Sequence, residues 1–173
     1  MSVPSTIRGT RQLSEAHAGA WTHTSRVIRA RPEELYAAFL DATALIDWLP
    51  PAEMTGEIHE FDARVGGGYR MSLFYPPDER TFRGKTSDRE DMVKVRFVEL
   101  TPPRRIVEAV NFITTEPAFF GEMTLIVKFE EVSGGTEVTL VFKNLPPGLG
   151  AEENQAGSRL SLEQLARRFE ASA

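Results

Sequence analysis

Apolar residues follow first the period of a strand and then that of a helix over the early part of the chain. Trp21–Arg29 is rich in β-branched residues, which predicts a strand. Pro32 suits the first position of a helix, which predicts a helix start there. Four apolar residues then share one helical face, namely Leu35, Ala38, Phe39 and Ala42. A second short helix is predicted over Thr43–Leu49, because Pro50 and Pro51 end it.

The next section of the chain alternates apolar and polar residues with the period of two that is typical of strands. The segment between Pro76 and Asp91 is polar and rich in charge, which predicts a long loop. Ser133-Gly134-Gly135 predicts a hairpin turn, and short hairpins make the sheet antiparallel. The six predicted strands are residues 53–61, 69–75, 93–100, 105–112, 122–132 and 136–144.

A last helix is predicted over Ala151–Glu170, and its inner face changes character halfway along. Leu162, Leu165, Ala166 and Phe169 form an apolar stripe in the second half. The same stripe continues backwards through small or polar residues, namely Ser158, Asn154 and Ala151. We therefore expect an α+β fold in which a curved, seven-stranded antiparallel sheet wraps around this helix. A cavity should remain where the helix carries too little apolar bulk to fill it.

Composition restricts the classes of function. The 173 residues suit a single domain, predicted here as residues 21–173 behind a flexible arm of residues 1–20. A net charge of −5 argues against nucleic acid as a partner. Cysteine is absent, and no stretch approaches the ~20 apolar residues of a membrane span. The start of the chain also lacks a signal peptide, so we expect a cytoplasmic protein without membrane insertion.

Candidate chemistry is sparse. His17, His23 and His59 lack the spacing of a metal site, so neither a metal nor another cofactor is predicted. Asp62 and Arg64 flank the Gly66–Gly68 turn and are expected to form a structural ion pair there.

The strand Ile106–Phe112 allows two orientations. In one, Glu108 faces inward as a buried carboxyl group with a raised pKa and is a candidate acid. In the other, Val107, Ala109 and Asn111 face inward, and Asn111 donates or accepts hydrogen bonds in the cavity. The second orientation is favoured, because charged residues are rarely buried without a partner.

We expect the ligand contacts to combine apolar walls with a few polar groups, and we predict no catalytic residue. Trp48 is expected at the rim of the cavity, and Asn111, Asn154 and Ser158 are the predicted polar contacts. The predicted wall residues are apolar or aromatic side chains of the sheet, namely Tyr69, Met71, Phe97, Met123 and Leu125.

The order of elements, together with a set of short motifs, resembles the START-like superfamily. The most similar branch is the bacterial homologues of the C-terminal domain of the heat-shock-protein-90 ATPase activator. The resemblance runs from Trp21 to Phe169, and the ordered set carries it rather than any single motif. The motifs are Asp47–Pro51, Phe61–Gly67, Thr101–Arg105, Asn154–Gly157 and Ser161–Ala166. The resemblance implies the helix-grip fold with a ligand cavity between sheet and helix, but little about chemistry.

Three functions follow as hypotheses. The first is a START-like protein that holds a small hydrophobic or amphipathic ligand. The second is a cyclase- or aromatase-type enzyme whose acid or base would be Glu108, Glu57 or His59. The third is an interaction module that contacts a chaperone through its basic arm or its acidic body. The edge strands of an open sheet also leave a homodimer open as an assembly state.

Overall fold

The computed structural model of the chain describes residues 19–77 and 89–170. The three helices are α1 (Pro32–Ala38), α2 (Ala42–Trp48) and α3 (Ala151–Glu170), and a 3-10 turn covers Pro117–Phe119. The seven strands are β1 (Ala20–Ile28), β2 (Thr55–Asp62), β3 (Gly68–Phe74), β4 (Glu90–Thr101), β5 (Arg105–Phe112), β6 (Met123–Val132) and β7 (Gly135–Leu145). Nearly all of the predicted arm, residues 1–18, and most of the predicted loop, residues 78–88, lie outside the described residues.

All seven strands form one antiparallel sheet in the order β1-β7-β6-β5-β4-β3-β2. Strands β2 to β7 follow one another as neighbours, whereas β1 pairs with the last strand, β7. The two short helices therefore carry the chain from one edge of the sheet to the other. The predicted helix-grip fold is confirmed, with two short helices after the first strand and a long helix at the end.

Local chemistry explains where the short helices begin. Pro32 opens α1, and the Glu34 carboxylate accepts a hydrogen bond from the Arg31 backbone N–H at 3.1 Å. Asp41 caps α2, because its side chain accepts hydrogen bonds from the N–H groups of Thr43 and Ala44 at 2.9 and 3.2 Å. The N-terminal N–H groups of a helix lack partners within it, so these side chains define its start.

The Gly66–Gly68 turn needs glycine for steric reasons. Gly66 has a φ of 85°, which other residues rarely adopt. A Cβ on Gly67 would lie 2.5 Å from the Asp62 carbonyl oxygen. The predicted ion pair is present beside it, with 2.8 Å between Arg64 Nε and Asp62 Oδ2. Both side chains are exposed, so we expect it to contribute about 1 kcal/mol or less.

One end of the molecule is packed solid. Leu162 and Leu165 of α3 are buried in the core, where Phe39 contacts both Trp48 and Phe129 with ring centroids 4.6 and 5.3 Å apart. The Trp48 indole N–H donates to the Ala38 carbonyl at 3.0 Å, so its polar atom is satisfied within the fold. The buried residues around this cluster join α3, the short helices and the sheet in one hydrophobic core.

Helix α3 is fastened to the segment that follows α2. The Gln164 side chain donates to the carbonyl oxygens of Trp48 and Pro50 at 2.7 and 2.6 Å. The Ser161 hydroxyl donates to the Leu49 carbonyl at 2.7 Å. These bonds supply donors to backbone carbonyl oxygens at and just after the end of α2, where the helix itself provides no partner. They also fix where α3 sits, and hence what its first half faces.

Candidate functional site

A cavity of about 690 Å³ lies between the sheet and the first half of α3. The sheet contributes an apolar wall that includes Val95, Val110 and Leu140. The helix contributes small or polar residues, namely Asn154, Gly157, Ser158 and Ser161. The rim includes Leu49 and the segment from Pro51 to Met54. The site is therefore a mostly apolar space with polar groups concentrated on the helix.

The residue sizes along α3 explain where this space begins and ends. A Cβ on Gly157 would meet no atom within 4 Å, so the helix surface there borders open volume. One turn further on, Leu162 and Leu165 are only 1% and 0% exposed, because they are enclosed by core residues. The same helix thus leaves space with its first half and fills space with its second half.

Six of the nine predicted contact residues line this cavity: Trp48, Tyr69, Met123, Leu125, Asn154 and Ser158. Met71 and Phe97 are fully buried in the core and are not part of the lining. Asn154 is held in place by Thr22 of β1, whose hydroxyl donates to the Asn154 side-chain oxygen at 2.6 Å. The structure therefore brings the six together, and their contact with a ligand stays a prediction.

The favoured orientation of β5 is wrong. Glu108, Val110 and Phe112 line the cavity, so the alternation of a strand places Asn111 on the opposite face. The pattern was misleading because Val107 and Ala109, on that opposite face, are also buried at 9% and 4% exposure. Apolar residues mark the inner face of a strand only when the outer face is solvated. Asn111 is thus no cavity contact.

Glu108 is the most unusual group in the cavity. Its side chain is buried at 3% exposure, and burial raises its pKa from about 4.5 to about 8. Among the described residues, no hydrogen-bond donor or cation pairs with its carboxyl group. Burial, and then the charge of Glu108, raise the pKa of the nearby Tyr69 hydroxyl well above 10. Near neutral pH, Glu108 is therefore mostly a protonated carboxylic acid inside an apolar space.

A second carboxyl group, that of Asp91, lines the cavity and was missed by the sequence analysis. Asp91 is 5% exposed, and the Tyr75 hydroxyl donates to its Oδ2 at 2.9 Å. The predicted loop extended to Asp91, whereas β4 begins at Glu90, which pairs with Phe74. The alternation of Val93, Val95 and Phe97 could have been continued backwards to place Asp91 on the inner face.

The other two catalytic candidates do not reach the cavity lining. His59 Nε2 lies 2.8 Å from Ser72 Oγ, and Ser72 donates to Glu90 Oε1 at 2.6 Å. Ser72 lies between Met71 and Leu73 in β3, so this chain of hydrogen bonds is on the face away from the cavity. Glu57 accompanies it, with 3.8 Å between its Oε1 and His59 Nδ1.

Neither a metal centre nor a membrane segment emerges from the part of the chain that the structure describes. Over residues 19–77 and 89–170, no three His, Cys, Asp or Glu side chains are grouped so as to hold a metal ion. His17 lies outside those ranges. No helix within the same ranges combines the length and the apolar character needed to cross a membrane.

Comparison with known proteins identifies one family. The model of the family described as "Activator of Hsp90 ATPase homolog 1-like protein" matches residues 29–170. No curated protein matches the chain. Among solved structures, a protein from Chromobacterium violaceum is 31% identical with a TM-score of 0.77, over 87% of this chain and 96% of that one.

More distant structures share the fold alone. A protein from Rhodobacter sphaeroides is 20% identical with a TM-score of 0.67, over 87% of this chain and 93% of that one. A protein from Staphylococcus epidermidis is 16% identical with a TM-score of 0.66, over 90% of this chain and 92% of that one.

Proposed function

Since the chain belongs to the activator of Hsp90 ATPase homolog 1-like family and has a helix-grip fold, we propose that it is a START-like ligand-binding protein. Its ligand would be a small hydrophobic or amphipathic molecule, enclosed between the sheet and the first half of α3. The observation that carries the proposal is the cavity of about 690 Å³ bordered by Gly157 and Ser158.

The size and lining of the cavity support this proposal. Packed protein interiors contain few voids larger than a water molecule. Pockets for small molecules span about 300–1,000 Å³ and combine apolar walls with a few polar groups. The cavity lies inside that range and has the same composition, with Leu125 and Leu140 on the sheet and Asn154 on the helix.

Filling the cavity at Gly157 tests the proposal directly. Native mass spectrometry of the purified protein would show a bound molecule, and a neutral apolar fluorophore such as N-phenyl-1-naphthylamine would report the empty site. Gly157→Phe should abolish fluorophore binding, because a side chain at this position projects into open volume. Gly157→Ala is the matched control, which adds one methyl group and should keep binding while stabilising α3 by up to about 1 kcal/mol.

Two results would contradict the proposal. One is a wild-type protein that carries no ligand in any preparation and does not bind the fluorophore. The other is fluorophore binding that survives Gly157→Phe unchanged in a folded variant, since the fluorophore would then sit elsewhere.

Glu108 favours a second candidate function, a cyclase- or aromatase-type enzyme. Of the three catalytic candidates, Glu108 alone lines the cavity, and its raised pKa of about 8 suits a general acid near neutral pH. Glu108→Gln keeps the shape of the side chain and removes the acid. Product ratios from a polyketide-like substrate that are the same with wild type and Glu108→Gln would eliminate this function.

The chaperone contact and the homodimer stay predictions. A pull-down with the chaperone, using the full chain and a variant without residues 1–18, tests the first. Equal recovery of the chaperone by both forms would contradict a role for the arm.

A further inference from the structure

The charged groups that the described residues contribute to the cavity lining all carry the same sign. The carboxyl side chains of Glu53, Asp91, Glu108 and Glu153 contribute to it. Within the described residues, the lining contains no lysine, arginine or histidine. Of these acidic groups, Glu108 is the one that can select a ligand by charge, because electrostatic interactions are stronger where water is excluded.

Glu108 differs from the other acidic groups. It is 97% buried, it lines the cavity, and no group among the described residues pairs with it. Asp91, in contrast, already accepts a hydrogen bond from Tyr75. A buried carboxyl group without a partner is costly, so a ligand that supplies the missing partner gains more there than at the surface.

We propose that the ligand is an amphipathic cation, with an apolar body against the sheet and a single protonated amine nitrogen against the Glu108 carboxylate. This inference rests on the proposed ligand-binding function and names the chemical class of the ligand. The amine would occupy the position opposite β5, where the protein itself supplies no cation in the described residues.

Other head groups fit the cavity less well. A carboxylate or phosphate head gains at most a hydrogen bond from protonated Glu108, and it meets a like charge once Glu108 is ionised. A neutral alcohol or ketone can hydrogen-bond with protonated Glu108, but such a bond is about half as strong as a charge-assisted one. Only the amine gains both a hydrogen bond and an ion pair with Glu108 in its ionised form.

The proposal also predicts how binding depends on pH. Burial holds the pKa of Glu108 at about 8, so near neutral pH the carboxyl group must lose its proton before it can pair with a protonated amine. Amine binding should therefore release close to one proton, and affinity should rise with pH until Glu108 is ionised. The other titratable groups of the lining are Tyr69 and Tyr75 of the β3 side, Asp91 of β4, Glu53 of the rim and Glu153 of α3.

A series of ligands that differ only in head group tests the inference. Dodecylamine, dodecanol and dodecanoate, each below its micelle concentration, would displace N-phenyl-1-naphthylamine from wild type, Glu108→Gln and Glu130→Gln. Glu130 is an exposed glutamate of β6 and serves as the matched control for loss of one negative charge. At about pH 9, where Glu108 is ionised and dodecylamine is still protonated, dodecylamine should bind wild type and Glu130→Gln at least about tenfold more tightly than dodecanol. In Glu108→Gln that preference should disappear, while dodecanol still displaces the fluorophore.

The outcomes separate the inference from the proposed function. Dodecanol or dodecanoate binding as tightly as dodecylamine would overturn the amine assignment and leave the ligand-binding function intact. A preference for dodecylamine that persists in Glu108→Gln would overturn the role of Glu108. Failure of all three compounds and of the fluorophore to bind would instead overturn the ligand-binding function itself. Proton release measured in two buffers of different ionisation enthalpy gives an independent check, and its absence in wild type would contradict the pairing.

Discussion

The two halves of α3 perform different tasks with the same backbone geometry. The second half, with Leu162 and Leu165, is enclosed by the core and packs beside Trp48. The first half, with Asn154 and Ser158, borders about 690 Å³ of open space. The difference lies in side-chain volume on one helical face, because both halves face the sheet along a single helix.

The second half of α3 therefore contributes to the stability of the fold, whereas the first half leaves room for a ligand. Burying a leucine removes apolar area from water and stabilises the fold by about 1.5–3 kcal/mol. A serine or glycine on the same face contributes little burial but leaves volume that a ligand can occupy. The bonds from Ser161 and Gln164 to the backbone around Leu49 lie at the boundary between the two halves.

The largest effect is expected in the packed half. Leu165→Ala should lower the free energy of unfolding by about 2–5 kcal/mol, since it leaves a cavity in a core that cannot fully collapse. Ser158→Ala, the counterpart in the open half, should change it by less than about 1 kcal/mol. Urea unfolding of both variants measures the contrast. Similar losses of unfolding free energy in the two variants would contradict the difference between the two halves of α3.

The next effect should appear on the sheet side of the cavity, at Glu108 of β5, and depend on pH. Glu108 has a pKa of about 8 in the folded chain, against about 4.5 when unfolded, so ionising it opposes folding. The penalty is absent below about pH 4.5 and grows until the pH passes about 8. Glu108→Gln should therefore stabilise the protein by an amount on the order of 3 kcal/mol near neutral pH, and by much less in acid.

Urea unfolding of wild type and Glu108→Gln at several pH values measures this difference. Glu130→Gln should show no such pH-dependent gain, because Glu130 is exposed. A constant difference between wild type and Glu108→Gln across the whole pH range would contradict the buried, ionisable state of Glu108.

The smallest of the three effects concerns the boundary between the two halves of α3, where Gln164 bonds to the segment around Leu49. Gln164→Ala removes the donors to the Trp48 and Pro50 carbonyls and should cost about 1–3 kcal/mol. It should also weaken fluorophore binding, because the segment after α2 forms part of the rim. Glu163→Ala, which removes only an exposed pair with Arg167, should cost less than about 0.5 kcal/mol and leave binding unchanged. Equal effects of the two substitutions would show that the boundary bonds do not hold the rim.

The pattern of apolar and polar residues was most predictive where one face of an element is apolar and the other is polar. The α3 helix runs over the predicted residues, Ala151–Glu170, and β6 begins at Met123, one residue after the predicted start. It failed at β5, whose pattern was ambiguous because Val107 and Glu108 are both buried on opposite faces. It also placed the start of β4 too late, at Val93 instead of Glu90, because Asp91 is polar although it belongs to the strand.

The sequence by itself determined the order of the elements, the antiparallel sheet and the two characters of α3, because hydrophobic period and side-chain volume are local properties of the chain. Only the tertiary structure decided that Glu108 rather than Asn111 faces the cavity and that Met71 and Phe97 belong to the core. Which face of a strand points inward depends on what packs against it from distant parts of the chain. The pKa of Glu108 follows from that placement, since burial by residues remote in sequence determines how much water reaches its carboxyl group.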